Sequence, residues 1–133
     1  MNVGITFGTF DLLHIGHIKI LERSKALCDY LVVGVSSDAL NLSKKNAAPI
    51  YSEDERMKIV SSLRCVDFVF REESLEEKRD YIKKYNASTL IMGDDWHGKF
   101  DFCSDICRVV YLPRTPHIST TQIKAEVFSR HTV

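Results

Sequence analysis

Five short apolar runs, each handing over to a segment of helical periodicity, restrict this chain to one class of fold. Val3 to Phe7, Tyr30 to Val35, Asp67 to Phe70, Thr89 to Met92 and Arg108 to Leu112 read as strands. Ile18 to Leu27, Ser52 to Leu63, Ser74 to about Tyr85 and Thr120 to Phe128 read as helices, with a shorter one over Asp101 to Cys107. Ser52 with Glu55, and Ser74 with Glu77, carry the spacing of a helix-starting capping box. Met57, Ile59, Val60 and Leu63 supply the apolar side of the second helix. Ser36 to Tyr51 reads as a polar loop and Ser129 to Val133 as a frayed tail. Strand–helix alternation demands parallel pairing through crossovers. All-apolar strands demand a sheet covered on both faces. The expectation is therefore an α/β protein of three layers, with a parallel sheet of about five strands. Its 133 residues suit one domain, 1–133, with a single core.

In such sheets ligands bind beyond the C-terminal strand ends. The polar, glycine-bearing segments Gly8–His17, Ser36–Lys45, Gly93–Lys99 and Pro113–Thr121 fall there. The first is the most informative. Gly8-Thr9-Phe10-Asp11-Leu12-Leu13-His14-Ile15-Gly16-His17 spans a strand-to-helix junction. The unpaired N–H groups and the positive dipole end of a helix make such a junction an anion site before any side chain is counted. His14 and His17 add two donors, and Gly16 lets a phosphate approach the backbone without a Cβ in the way. A lone histidine here reads as an ordinary cap; two spaced H-x-G-H on one turn read as a phosphate site.

The second informative segment is Arg114-Thr115-Pro116-His117-Ile118-Ser119-Thr120-Thr121-Gln122-Ile123. Three hydroxyls crowd the start of the last helix, forming either an ordinary N-cap cluster or a second phosphate cradle. Arg114 offers a planar fork suited to phosphate or a base edge. The first motif favours the cradle.

Composition narrows the alternatives. Lys plus Arg and Asp plus Glu number 18 each, so the formal charge is zero. A general nucleic-acid binder or anionic-membrane binder carries a net basic surface. No apolar run approaches the ~20 residues that span a bilayer, and no signal-peptide pattern opens the chain. The expectations are no nucleic-acid partner, no membrane insertion and a cytoplasmic location. In that compartment Cys28, Cys65, Cys103 and Cys107 are expected to be unpaired structural thiols. Cys103 and Cys107 lack the second ligand pair of a zinc site.

The two motifs together resemble the cytidylyltransferases of the HxGH nucleotidyltransferase superfamily. The resemblance runs through Y-L-V-V-G-V, R-M-K-I-V, Met92-Gly93-Asp94-Asp95-Trp96, Gly98-Lys99-Phe100-Asp101-Phe102 and Val109 to Thr115, nearly the whole chain. The G-D-D-W-x-G-K-F-D-F stretch points to the members that use glycerol 3-phosphate. The resemblance implies the Rossmann-like nucleotidyltransferase fold and a homodimer. It implies reaction of CTP, with Mg²⁺ or another divalent cation, and sn-glycerol 3-phosphate to give CDP-glycerol and pyrophosphate. That product would suit teichoic-acid or capsular-polysaccharide synthesis.

Carried over residue by residue, Thr9, Phe10, His14, Ile15, Gly16 and His17 line the CTP site. His14 and His17 hold the phosphates that gain charge as pyrophosphate leaves. Arg64 meets CTP phosphate, and Lys44 and Lys78 bind the acceptor phosphate, with Lys44 and Arg64 counted with the histidines as catalytic. Arg114, Thr115, Ile118, Ser119, Thr120 and Thr121 wrap the nucleotide. Asp94 and Asp95 assist the metal or the ribose, or cap a turn. Metal ligands are not assigned.

One departure stands out: Pro116-His117 replaces the family's usual Glu-Gly, which bears on nucleotide affinity. The rival readings are a cytidylyltransferase for phosphoethanolamine, phosphocholine or ribitol 5-phosphate, an adenylyltransferase, and a nucleotide-binding regulator without turnover.

Overall fold

In the computed structural model, residues 1–45, 47–113 and 120–131 are described, without the side chains of Lys44, Lys45 and His131. Five strands alternate with helices. They are β1 (Val3–Gly8), β2 (Tyr30–Ser36), β3 (Phe68–Glu72), β4 (Thr89–Gly93) and β5 (Arg108–Leu112). The helices are α1 (Ile15–Lys25), α2 (Asp38–Lys45), α3 (Glu53–Ser61), α4 (Lys78–Lys84) and α5 (Thr120–His131). All the strand pairs are parallel, in the order β3-β2-β1-β4-β5.

Side-chain alternation along the strands sorts the core into two layers. Val3, Ile5 and Phe7 of β1 and Val32 of β2 pack with Ile82 of α4, Phe70, Leu90 and Met92. Leu31, Val33 and Val35 of β2 face the other way, onto Leu21 of α1 and Val60 of α3. The inner strands β1, β2 and β4 are largely apolar because both faces are covered, whereas the edge strands carry charged residues, Arg71 and Glu72 in β3 and Arg108 in β5. The order reverses between β1 and β4: the chain winds outward through β2 and β3, then returns to place β4 on the other side of β1. The crevice above that reversal, past Gly8 and Gly93, is where an open α/β sheet binds ligands.

Several element boundaries differ from the sequence expectation, each for a local reason. Helix α1 begins at Ile15 because His14 caps it, so His17 lies inside the first turn. The segment expected to be a polar loop contains α2, whose start is held by Leu40 N–H donating to Ser37 Oγ at 3.0 Å. Ser52 and Glu55 form the expected capping box at α3. Ser74 and Glu77 do not: Ser74 Oγ accepts from Glu76 N–H in a local turn, and α4 starts later, with Glu77 as an uncapped N-cap. Asp101–Cys103 and Asp94–Trp96 are single 3₁₀ turns. Strand β3 runs on to Glu72, which carries that carboxylate to the ligand end of the sheet. Helix α5 extends to His131, into the segment expected to fray. The four cysteines are free, with Cys103 buried, and burial pushes each thiol above its ordinary pKa.

Candidate active site

A cavity of about 710 Å³ opens above the reversal between β1 and β4. Its wall combines Thr9, Phe10 and His17 from the β1–α1 junction with Lys78 of α4, Asp95 and Trp96 after β4, and Thr120, Thr121 and Lys124 of α5. Segments far apart in the chain thus converge on one volume, sized for a nucleotide and a small second substrate.

The junction is held in an uncommon conformation. Phe10 and Leu12 have φ of 54° and 48°, in the left-handed region. Such residues cost on the order of 1–3 kcal/mol each and persist where their surroundings fix them. Gly8 makes this path possible: a Cβ there would lie 2.8 Å from the Phe10 ring. That ring in turn packs edge-on against His17, with centroids 5.6 Å apart.

The two histidines form a reciprocal cap. Gly16 N–H donates to His14 Nδ1 at 3.0 Å, and His14 N–H donates to His17 Nδ1 at 3.1 Å. Their rings stack at 3.9 Å. Two of the N–H groups at this junction, those of His14 and Gly16, are therefore taken by imidazole nitrogens. With both Nδ1 atoms accepting, the hydrogen bonds assign the remaining proton of each ring to Nε2. The junction thus presents two neutral Nε2–H donors rather than two bare amides.

Burial lowers the pKa of both rings, and His17 falls from 6.5 to about 4, with the neighbouring His14 adding to the effect and Asp11 opposing it. The folded state refuses protons that an unfolded histidine takes up near 6.5. The unfolded chain therefore binds more protons between pH 6.5 and 4, and stability must fall as pH drops through that window. Urea midpoints are expected to decline across it, with His17 contributing about 2 kcal/mol after screening. In His17→Gln the decline should shrink; an unchanged decline would show that His17 is not held neutral.

Asp11 ties three segments together. Its carboxylate is 5 % exposed. It accepts from Ile50 N–H at 2.8 Å and Tyr51 N–H at 3.0 Å, and pairs with Lys124 at 3.2 Å. Its backbone oxygen accepts from Thr120 Oγ1 at 2.9 Å. These hydrogen bonds and Lys124 hold its carboxyl below the usual range despite burial. Beneath the junction, buried Asn41 accepts from Thr9 Oγ1 at 2.9 Å and donates to Ser36 Oγ at 2.8 Å. Buried Arg56 donates to the backbone oxygens of Thr9, Ser36 and Tyr51 and to Asp38 Oδ1.

The sequence-derived residues divide as follows. Thr9, Phe10, His17, Lys78, Thr120 and Thr121 line the cavity, and His14 stacks on His17. Ile15 is half exposed in the first turn of α1. Lys78, carried over as a residue for the acceptor phosphate, is buried on the cavity wall and paired with Glu72. Arg64 is not brought to the cavity: it is exposed in the turn before β3, at the N-terminal end of the strands, because the chain must return there to start a parallel strand. Lys44 lies in the last turn of α2, and its side chain is outside the described residues, as are Arg114, Thr115, Pro116, His117, Ile118 and Ser119. Asp11, Asn41, Arg56, Glu72 and Lys124 were not singled out by sequence. Asp11, inside the first motif, and Arg56, at the head of R-M-K-I-V, carried a usable signal.

Comparison with known proteins agrees with this geometry. The chain matches the cytidylyltransferase-like family over residues 5–126. It is 54 % identical over 123 residues to the glycerol-3-phosphate cytidylyltransferase of Bacillus subtilis, covering 92 % of this chain and 95 % of that one. It is 43 % identical to the enzyme of the same name from Staphylococcus aureus, covering 95 % of each. Among solved structures, a lipopolysaccharide core biosynthesis protein from Thermoplasma volcanium superimposes with a TM-score of 0.76 at 26 % identity, covering 86 % of this chain and 98 % of that one. The junction histidines, the cavity at the strand reversal and near-complete matches in length place this chain in the cytidylyltransferase-like family, among the glycerol-3-phosphate cytidylyltransferases.

Proposed function

We propose that the protein joins the CMP group of CTP to sn-glycerol 3-phosphate, forming CDP-glycerol and releasing pyrophosphate. The observation that carries this reading is the cavity itself, whose lining brings together the histidine junction, the start of α5 and buried Lys78. An acceptor oxygen attacks the α-phosphorus in line, a P–O bond forms, and the bond to the β-phosphate breaks. No covalent enzyme intermediate is required. The acceptor phosphate has a second pKa near 6, so its oxygen is anionic at neutral pH and needs no general base. What remains for the protein is to hold two polyanions together and to stabilise charge on the leaving pyrophosphate. The Nε2–H groups of His14 and His17, with Thr120, Thr121 and Arg114, do this on the nucleotide side. Lys78 and Lys44 receive the acceptor phosphate. Lys124, paired with Asp11, adds a cation beside Thr120 and Thr121.

Mg²⁺ enters as part of the CTP substrate complex. The triphosphate supplies the oxygen donors such an ion takes, and no group of three or more His, Cys, Asp or Glu among the described residues is arranged to cage a metal. The protein acts in the cytoplasm as a homodimer; the unpaired outer edge of β3, with Phe68 44 % exposed, is available for association. Among the described residues, no helix is long and apolar enough to cross a membrane. The product would feed a cell-surface polymer built from glycerol phosphate.

A pyrophosphate-release assay tests the reading. CTP with glycerol 3-phosphate is expected to give the highest kcat/KM, with ATP and with phosphoethanolamine, phosphocholine or ribitol 5-phosphate at least ten-fold lower. Preference for another phosphoalcohol would reassign the acceptor, preference for ATP the nucleotide. CTP binding without release from any partner would make the protein a regulator.

A further inference from the structure

Lys78 and Glu72 form an ion pair with both side chains 2 % exposed, on the wall of the cavity. The pair follows from the fold. Register Ser36↔Glu72 places Glu72 at the last paired position of β3, at the ligand end of the sheet. Lys78 begins α4, six residues later. Its ammonium sits 4.0 Å from the centroid of Phe7 and 5.5 Å from that of Phe100. A carboxylate and two aromatic faces thus fix one nitrogen. Glu72 leaves part of the ammonium's three-donor capacity free for the cavity.

We infer that Glu72 is a positioning residue for the transfer reaction: it keeps Lys78 charged and aimed, so that the acceptor phosphate meets a preformed cation. This rests on the assignment of Lys78 to the acceptor phosphate. A lysine on an apolar wall loses its charge easily, because burial penalises the ammonium. Here burial pulls Lys78 below its ordinary pKa, and the Glu72 carboxylate pushes back. Among the described residues, the other titratable group facing Lys78 is the thiol of Cys103, in the 3₁₀ turn packed on the same layer. That thiol is held protonated by its own burial and cannot replace a carboxylate. Arg79, the next residue, turns away to pair with Asp105. An ammonium fixed before binding spares the ordering of a long, free side chain, which is how preorganisation strengthens recognition of a small anion.

The test uses the full-length protein and four forms: wild type, Glu72→Gln, Glu72→Asp and Lys78→Met. Glycerol 3-phosphate and CTP are varied in turn from pH 7 to pH 9, where the acceptor stays a dianion. In Glu72→Gln, KM for glycerol 3-phosphate is expected to rise about ten-fold and to climb further with pH, while KM for CTP moves less than about two-fold. Glu72→Asp should recover much of the difference. A second readout does not depend on turnover: NMR titration of ¹³C-labelled lysine, with the Lys78 signal identified by its loss in Lys78→Met. In Glu72→Gln that signal should titrate at lower pH.

An acceptor KM that is unchanged in Glu72→Gln, or that rises equally with that for CTP at every pH, would overturn the role of Glu72. So would an unmoved Lys78 titration. If Lys78→Met raises the acceptor KM while Glu72→Gln does not, only the role of Glu72 falls. If Lys78→Met leaves the acceptor KM untouched, the assignment of Lys78 falls and takes this inference with it.

Discussion

Replacing either junction histidine by asparagine is expected to lower kcat by about two orders of magnitude or more, with the fold left in place. The argument turns on the two nitrogens of each ring. Nδ1 of His14 accepts from Gly16 N–H, and Nδ1 of His17 accepts from His14 N–H. The Oδ1 of asparagine occupies nearly the same place and can keep these caps, so stability should change by less than ~1 kcal/mol. What asparagine lacks is a donor at the Nε2 position. In the proposed reaction that donor meets oxygens whose negative charge grows as pyrophosphate leaves, so its loss falls on the transition state.

Glutamine is the complementary variant. Its amide nitrogen reaches the Nε2 position but offers nothing at Nδ1, so it should retain more turnover and less helix stability. His14→Ala and His17→Ala lose both functions and should show both defects. Measurements at saturating CTP, with urea unfolding of each variant, separate the two roles. Near wild-type kcat in His14→Asn or His17→Asn would remove that histidine from the chemistry. Because both rings are neutral in the free protein, the donors act as oriented N–H dipoles, and bound polyanion, not solvent pH, is what would raise their proton affinity.

The strands and the histidine junction were legible because their causes are local. Covered strands are apolar, a capping box has a fixed spacing, and H-x-G-H sets two histidines on one strand-to-helix turn. Helix α2 was hidden because Asp38-Ala-Leu-Asn-Leu-Ser-Lys-Lys is mostly polar. Its start signal, Ser37 before an acidic first turn, was present and outweighed by composition. The burial of Lys78 was hidden for a different reason. Lysines are usually solvated, and only the fold brings Glu72, Phe7 and Phe100 around this one. Arg64 shows the converse. A motif match assigns it to the nucleotide, yet the parallel crossover leaves it at the far end of β3. Arg56 opens the R-M-K-I-V segment of the resemblance, but nothing in that segment says what it holds, and Asn41 had no signal, since their partners are mainly backbone oxygens and hydroxyls from other segments.

Arg56 carries the second large effect. Arg56→Met is expected to cost about 3–5 kcal/mol of stability, from several backbone acceptors stranded at ~1–3 kcal/mol each where buried, and to raise KM for CTP in whatever fraction remains folded. Arg56 side-chain exposure is 0 %. The guanidinium donates from Nη1 to Thr9 O at 2.8 Å and Ser36 O at 2.7 Å, from Nε to Tyr51 O at 3.0 Å, and from Nη2 to Asp38 Oδ1 at 2.7 Å. These acceptors belong to the end of β1, the end of β2, the segment before α3 and the start of α2. Methionine fills much of the volume and removes every donor.

Asp38 would lose little, because its side chain is 41 % exposed and water can replace the arginine. The Ser36 oxygen has no such recourse where the bond is buried, and a stranded buried acceptor costs ~1–3 kcal/mol by itself. Thr9 would also lose the anchor that sets the path into Phe10, whose left-handed backbone needs support from outside. The kinetic defect should therefore appear at CTP before it appears at the acceptor. Arg56→Lys tests the fork rather than the charge: one ammonium cannot reach four acceptors spread around a planar group, so most of the loss should remain. Urea unfolding of both variants, with CTP and glycerol 3-phosphate kinetics, decides the matter. A loss under ~1 kcal/mol in Arg56→Met would mean that water can serve these carbonyls, and that the nucleotide side of the cavity is not laced together by Arg56.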